Sequence, residues 1–250
     1  MKQKLLGQLF LLVLMIVLAS MARAADGQHQ EILKRADEAR GNLGGVEWTV
    51  SIRSMENGRE ENRELIVEAK GYNFLATLTA PPKVRQQKLL MVDRNMWFAK
   101  PGLRKPVPIS ARQRLVGGVA YGDIASTNYA EDYAAKALPE EKLAGEVCNV
   151  FDLTATTKKA TYDRIKYWIS RDRGLGIKAE YYTVSGKLLK SATFEYTNVV
   201  NYDGADHPFI SKMEIIDGVV AENTGTLTFS ATKLKQVSDA TLDVNLLMSR

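Results

Sequence analysis

Between Trp48 and Ala231 the chain is written mostly in alternating apolar and polar residues. In VEWTVSIRSM, Trp48, Val50 and Ile52 fall on one side, and Thr49, Ser51 and Arg53 on the other. A period of two sends successive side chains to opposite faces of a strand. The pattern returns at Leu65, Val67 and Ala69, and again at Ile165, Tyr167 and Ile169 against Lys166, Trp168 and Ser170. It recurs at Ile177, Ala179 and Tyr181, at Ala192, Phe194 and Tyr196, and finally at Leu227, Phe229 and Ala231. Further strands are expected near residues 72–79, 88–93 and 147–155. Asn57-Gly58, Asp93-Arg94-Asn95 and Ser185-Gly186 read as the turns between them, because Asn, Asp and Gly tolerate positive φ. One face dry and one face wet, repeated about ten times, describes a large curved antiparallel sheet or barrel. Alternation alone also fits a filled barrel or a sandwich.

Two stretches break the pattern. From Gly27 to Arg40 the apolar residues Ile32, Leu33, Ala36 and Ala39 share a helical face, with Asp26 as N-cap and Gly41 as the stop. From Met96 to Tyr133 the chain passes Trp97-Phe98, a Pro101-Gly102 turn, a basic run past Pro106 and Pro108, and Gly117-Gly118. A second short helix is expected over 128–137. An insert of this length in a meander is either functional or poorly ordered, and its aromatic and aliphatic content argues for order.

The first twenty-four residues change the charge picture. Lys2 and Lys4 precede an apolar run, and Ala22-Arg23-Ala24 is a small-x-small cleavage site. This is the pattern of a secretory signal, and the run is shorter than the ~20 apolar residues of a spanning helix. The whole chain carries a net charge of +5. Residues 25–250 carry 31 basic and 29 acidic residues, a net charge of only +2. No global basic field therefore points to nucleic acid. Residues 25–250 are expected to form a single domain. The sole cysteine, Cys148, lies in a strand-like run and is expected to be a small buried apolar residue. No cysteine sits at the signal boundary to carry a lipid, so the processed protein is expected to be free of an anchor.

Catalytic signatures are missing. The sequence has no G-x-S-x-G elbow, no P-loop and no Cys–His cluster for zinc. His207 beside Asp203 and Asp206 reads as a solvated turn, and no cofactor or metal is expected. Between Lys83 and Arg114 there are nine basic residues and one acid, Asp93. Such a window is either a blunted, solvated sheet edge or a docking surface for anionic groups.

The order MW-F-x-KP-x-LR-KP-x-x-IS-x-x-QRL-x-GG, followed by GDIAS-x-NYA-x-DY, resembles the outer-membrane lipoprotein-sorting (LolA-like) family, in its larger, uncharacterised branch. ILKRADEARG near the start and TYDRIKYWISRD further on extend the resemblance over residues 25–250. It implies a mainly β fold with a few helices: a curved, unclosed antiparallel barrel with helices covering its concave face. It also implies a periplasmic, non-enzymatic carrier that holds lipid or lipoprotein acyl chains in a hydrophobic cavity. An inner-membrane transporter and an outer-membrane acceptor are its implied partners. A lipid-sensing regulator of the same fold, an envelope-lipid enzyme and an integral outer-membrane barrel are the alternatives. The residues expected to line the cavity are Trp48, Val50, Phe74, Leu78, Trp97, Ile165, Tyr167, Phe194 and Phe229. Leu103, Leu115, Val116 and Ile124 of the insert are expected over its mouth. Arg104, Lys105, Arg112 and Arg114 are expected to face outward, toward lipid headgroups or an acidic partner.

Overall fold

The structure, a computed structural model, describes residues 27–124 and 127–249. The proposed signal and the Asp26 cap lie outside the described residues. Helix α1 spans 27–38 and ends in a turn at Gly41, whose φ of 101° is one that glycine adopts without strain. The chain then builds β1 (Val46–Glu56), β2 (Arg59–Lys70), β3 (Asn73–Ala80), β4 (Lys88–Val92), β5 (Asn95–Ala99) and β6 (Val107–Ile109). The insert follows, with β7 (Arg114–Val116), β8 (Val119–Ala120), a 3-10 turn at Tyr121–Asp123 and the single helical turn α2 (Tyr129–Asp132). The second half runs β9 (Tyr133–Leu143), β10 (Glu146–Ala155), β11 (Arg164–Ser170), β12 (Gly176–Tyr182) and β13 (Leu188–Glu195). After a separate ribbon of β14 (Asn198–Tyr202) and β15 (Ala205–Phe209), β16 (Lys212–Asp217) and β17 (Thr224–Leu234) complete the sheet.

Thirteen strands form one sheet in the order β6-β5-β4-β3-β2-β1-β17-β16-β13-β12-β11-β10-β9. Every pairing is antiparallel, and β1 joins β17, so the two halves meet in the middle. The free edges are β6 and β9, and the chain that links them is the insert itself. Both edges carry features that discourage pairing. β6 is three residues long and contains Pro108; β9 carries Lys136, Pro139, Glu140, Glu141 and Lys142. Proline and charge on an edge are what keep a strand from recruiting another. The barrel therefore curls without closing.

The sequence pattern is met closely in most strands. Trp48, Val50 and Ile52 are at most 1% exposed, and Asn57 and Gly58 both take positive φ in the β1–β2 turn. Asp203 and Gly204 do the same at the tip of the β14–β15 ribbon, and His207 stacks on Tyr202 at 3.6 Å. Cys148 is fully buried, and burial pushes its thiol up. Four expectations fail. Ala231, expected on the dry face with Phe229, is exposed at a φ of 50°. Ile177 packs with Cys148, Val150 and Trp168, away from Ala179 and Tyr181. The helix expected over 128–137 stops after Asp132, and the chain continues as edge strand β9 paired with β10. Ala, Glu and Lys make that segment locally helix-prone, but pairing on an open sheet edge overrides propensity. The insert also contains strands: β6 extends the main sheet, and β7–β8 is a hairpin of its own.

The concave side of the sheet holds the main core. Leu33 and Ala36 of α1 join it, at 1% and 0% exposure. On the convex side, the C-terminal segment lays Val237, Leu242 and Leu247 over Leu75, Leu90 and Ala99. Leu242→Asp places a charge in that outer layer, which is costly without a partner. The segment after Leu234 is expected to detach. Limited proteolysis should then cleave within 235–249 while the remaining sheet stays resistant.

Candidate functional site: the covered concave face

A sheet that is apolar on its concave side needs a cover, and two elements supply it. α1 lies across the face with His29 against the Phe151 ring at 5.4 Å. The insert lies beside it. Polar side chains join the two. Asp37, 1% exposed, accepts from the Thr127 hydroxyl at 2.7 Å and from the Ala130 N–H at 2.9 Å. Asn42 Nδ2 donates to the Thr127 carbonyl at 2.8 Å and to Asn128 Oδ1 at 3.1 Å. Gln30 donates to the Ala130 carbonyl at 3.3 Å. These bonds satisfy backbone groups of a segment with too little secondary structure to satisfy its own.

The insert is tied to the sheet by a second buried cluster. Lys190 of β13 and Asp123 form an ion pair whose side chains are 7% and 2% exposed. Lys190 also donates to the Gly118 carbonyl at 3.2 Å. Asp123 accepts from the Ala120 N–H at 2.7 Å and from the Tyr162 hydroxyl at 2.6 Å. Around the rim, Arg112 pairs with Asp163 at 2.7 Å and donates to the Ala160 carbonyl at 2.9 Å. Arg114 pairs with Glu56, and Arg94 with Asp132. Gly117 permits the closest approach: a Cβ there would fall 1.7 Å from Ser54 Oγ. Its role is to let the β7–β8 hairpin sit on β1, a tighter reason for glycine than backbone freedom alone.

Ten of the thirteen expected cavity residues share the concave core: Trp48, Val50, Phe74, Leu78, Val116, Ile124, Ile165, Tyr167, Phe194 and Phe229. Leu115 is half-buried against it. Two residues fall elsewhere. Trp97 faces the convex side and packs with Leu75, Leu90 and the C-terminal segment, while its neighbours Met96 and Phe98 face the concave core. Leu103 is half-buried in the β5–β6 connection and belongs to no core. Of the basic residues, Arg104 and Lys105 are exposed. Arg112 and Arg114 are exposed too, and each also pairs with a carboxylate, Asp163 and Glu56, at the rim of the insert. The sequence reading missed Asp37, Arg40, Asp123 and Lys190, all at most 6% exposed. Asp37 and Arg40 continue the apolar stripe of α1 at Leu33 and Ala36, so charges on that stripe were a visible signal. Lys190 and Asp123 lie far apart in the chain and gave none.

The aliphatic and aromatic side chains of the concave face are almost fully buried against one another. A cleft of about 340 Å³ lies between α1 and the start of α2, lined by Gln30, Lys34, Asp37, Asn42, Asn128 and Glu131 among others. A slot of about 20 Å³ runs inward past Thr127, Tyr129 and Tyr162 to Arg40. Among the described residues, no helix is long and apolar enough to cross a membrane.

An open antiparallel sheet, covered on its concave face by a helix and by the chain joining its edges, defines a class of fold built around a shielded apolar surface. The comparisons identify the family. The sequence model of a family described only as "Uncharacterized protein" matches residues 70–248. A LolA superfamily protein from Nitrosomonas europaea is 32% identical, with a TM-score of 0.77, over 86% of this chain and 97% of its own. A putative outer membrane lipoprotein-sorting protein domain from Vibrio parahaemolyticus is 20% identical, at TM-score 0.73, over 87% and 97%. A DUF1329 family protein from Desulfovibrio piger is 18% identical, also at 0.73, over 88% and 97%. No curated protein matches significantly. The chain belongs to the LolA superfamily.

Two outcomes test the cover. Asp123→Asn leaves Lys190 buried without its carboxylate, and breaking a buried pair costs about 3–5 kcal/mol. Adding Lys190→Met should recover much of that loss, and hydrogen exchange in 114–124 and 156–163 should follow the same order. No loss in the single variant would mean that the pair does not hold the insert. Asp37 supplies the second test. Burial pushes its carboxyl up to about 6. Below about pH 4 the group is protonated both folded and unfolded; between about 4 and 6 only the unfolded chain ionises. Its contribution to stability therefore falls as pH rises and is fully lost above 6, by about 3 kcal/mol. The stability gap between wild type and Asp37→Asn should move by that amount in the variant's favour between about pH 4 and 7, and a pH-independent gap would contradict it.

Proposed function

We propose that this protein is a periplasmic carrier that takes up lipid or lipoprotein acyl chains on its concave face and delivers them toward the outer membrane. The observation that carries this reading is the nature of the cover. The dry face of the sheet is shielded by α1 and the insert, which are joined through a handful of named polar bonds. A permanent core has no need of such an arrangement. A face that must be dry when empty and available when loaded does.

The energetic case follows from solubility. Keeping a long acyl chain in water costs on the order of 10 kcal/mol, at ~0.8 kcal/mol per CH₂. A carrier must offset most of that cost while still releasing the chain to an acceptor. Displacing the protein's own apolar cover on loading moderates affinity in this way, because cargo and cover compete for one surface. Residues 1–24 would direct export. An inner-membrane transporter and an outer-membrane acceptor would be the donor and the destination. Arg104 and Lys105, exposed near the β6 edge, would meet an acidic partner or lipid headgroups. No covalent chemistry is needed for any step.

Fluorescent acyl probes should bind residues 25–250 at micromolar concentration or below and be displaced by unlabelled lipid. Asp123→Ala combined with Lys190→Ala should accelerate probe association severalfold, because it frees the insert. Extraction of the protein purified from its native envelope should yield a lipid by mass spectrometry. Absence of displaceable binding in both wild type and the freed variant would end the carrier reading.

A further inference from the structure

The interior contains a cation that forms no ion pair among the described residues. Arg40 follows α1 in the turn that ends it and is 4% exposed. Its guanidinium lies 4.2 Å from the centre of the Phe194 ring and 5.5 Å from that of Tyr129. Its Nε and Nη1 find no hydrogen-bond partner among the described residues. Asp37, the nearest acid on the same element, spends its oxygens on Thr127 and Ala130. Asp123, on the wall of the slot that reaches Arg40, is neutralised by Lys190.

The surroundings are rich in hydroxyls. Tyr129, Tyr167, Tyr181 and Tyr196 all lie within electrostatic reach of Arg40. Three of the four hydroxyls are engaged: Tyr129 with Tyr181 at 3.4 Å, and Tyr196 as donor to the Gly176 carbonyl at 2.8 Å. Tyr167 Oη has no partner among the described residues. Gly176 makes room for it, since a Cβ there would fall 1.8 Å from that oxygen. Trp48 Nε1, in the same concave core, is a further unpartnered donor.

The unpartnered groups have one chemistry in common: each can donate a hydrogen bond, and one carries a full positive charge. Aromatic faces offset part of the cost of burying a guanidinium, and the Tyr129 hydroxyl takes one of its N–H groups, but Nε and Nη1 are left with no oxygen to bind. A buried charge without an ion partner is disfavoured relative to an apolar side chain of similar volume, so filling space alone does not account for arginine here. The matching ligand is an acceptor-rich anion.

We propose that Arg40 and Tyr167 form an internal headgroup site, which receives the anionic oxygens of an amphiphile whose acyl tail lies along the concave face. This deepens the carrier reading and rests on it. The shared chemistry is an anionic oxygen headgroup, either the carboxylate of a free fatty acid or a phosphate monoester. Phe194 and Tyr167 place the site among Ile165, Ile169 and Ala192, so head and tail share one surface. Entry requires α1 and the insert to part.

The test uses residues 25–250 and three fluorescent probes with the same tail: a fatty acid, its methyl ester and the corresponding alkyl phosphate. Wild type should bind at least one anionic probe about tenfold or more tighter than the ester, as expected for a charge-assisted hydrogen bond. Which anion is preferred identifies the headgroup. Arg40→Met should bring the preference close to unity. Tyr167→Phe removes a hydroxyl with no partner, so it should leave thermal unfolding unchanged while cutting the preference severalfold. If Arg40→Met does not fold, Tyr167→Phe carries the test, and an unchanged preference there overturns the site. Equal binding of all three probes to wild type overturns the headgroup site and leaves the carrier reading standing. Failure of all three to bind overturns both.

Discussion

An antiparallel sheet that curls but does not close has one dry face and two free edges, and both must be dealt with by the same chain. Here the proline in β6 and the charges of β9 keep the edges apart. The segment between them is then obliged to cross the opening. Its placement is a consequence of topology before it is a matter of affinity: the chain leaves one edge and must return at the other. α1 arrives from the N-terminal side and completes the cover with Leu33 and Ala36.

What holds this cover differs in kind from what holds the sheet. The sheet rests on backbone ladders and on side chains that are almost fully buried. The cover rests on Asp37, Asn42, Asp123, Lys190 and Arg112, each bonding to backbone or charge on the opposite element. Buried polar ties of this sort are strong when complete and costly when one member is lost. They favour two discrete arrangements, tied or released, over gradual loosening. A burden of unpartnered donors under the cover, with Arg40 foremost, means that the closed state carries a cost which a suitable ligand would remove. Such a balance suits a protein that must both accept and surrender an apolar cargo.

The strands were legible because one face is wet. Where both faces are dry the signal fails: in Met96-Trp97-Phe98 all three residues are apolar, since the C-terminal segment covers the convex side, and parity could not be read. β9 was hidden by Ala and Lys residues that favour helix locally and become strand only because an edge is free beside them. The helix α1 was plain, and Asp37 and Arg40 on its apolar stripe were the one sign that its buried face has a polar task. The pairing of Asp123 with Lys190 depends on the curl of the whole sheet, so no local pattern encodes it.

The central claim is that the cover separates from the sheet to admit an acyl chain. The most direct measurement is the distance between spin labels at Lys34 on the exposed side of α1 and Thr228 on the outer face of β17, in a Cys148→Ala background. The account predicts a narrow distribution for the empty protein, and a longer or broader one when a saturating amount of bound fatty acid is present. An unchanged narrow distribution with lipid demonstrably bound would show that cargo does not enter beneath the cover.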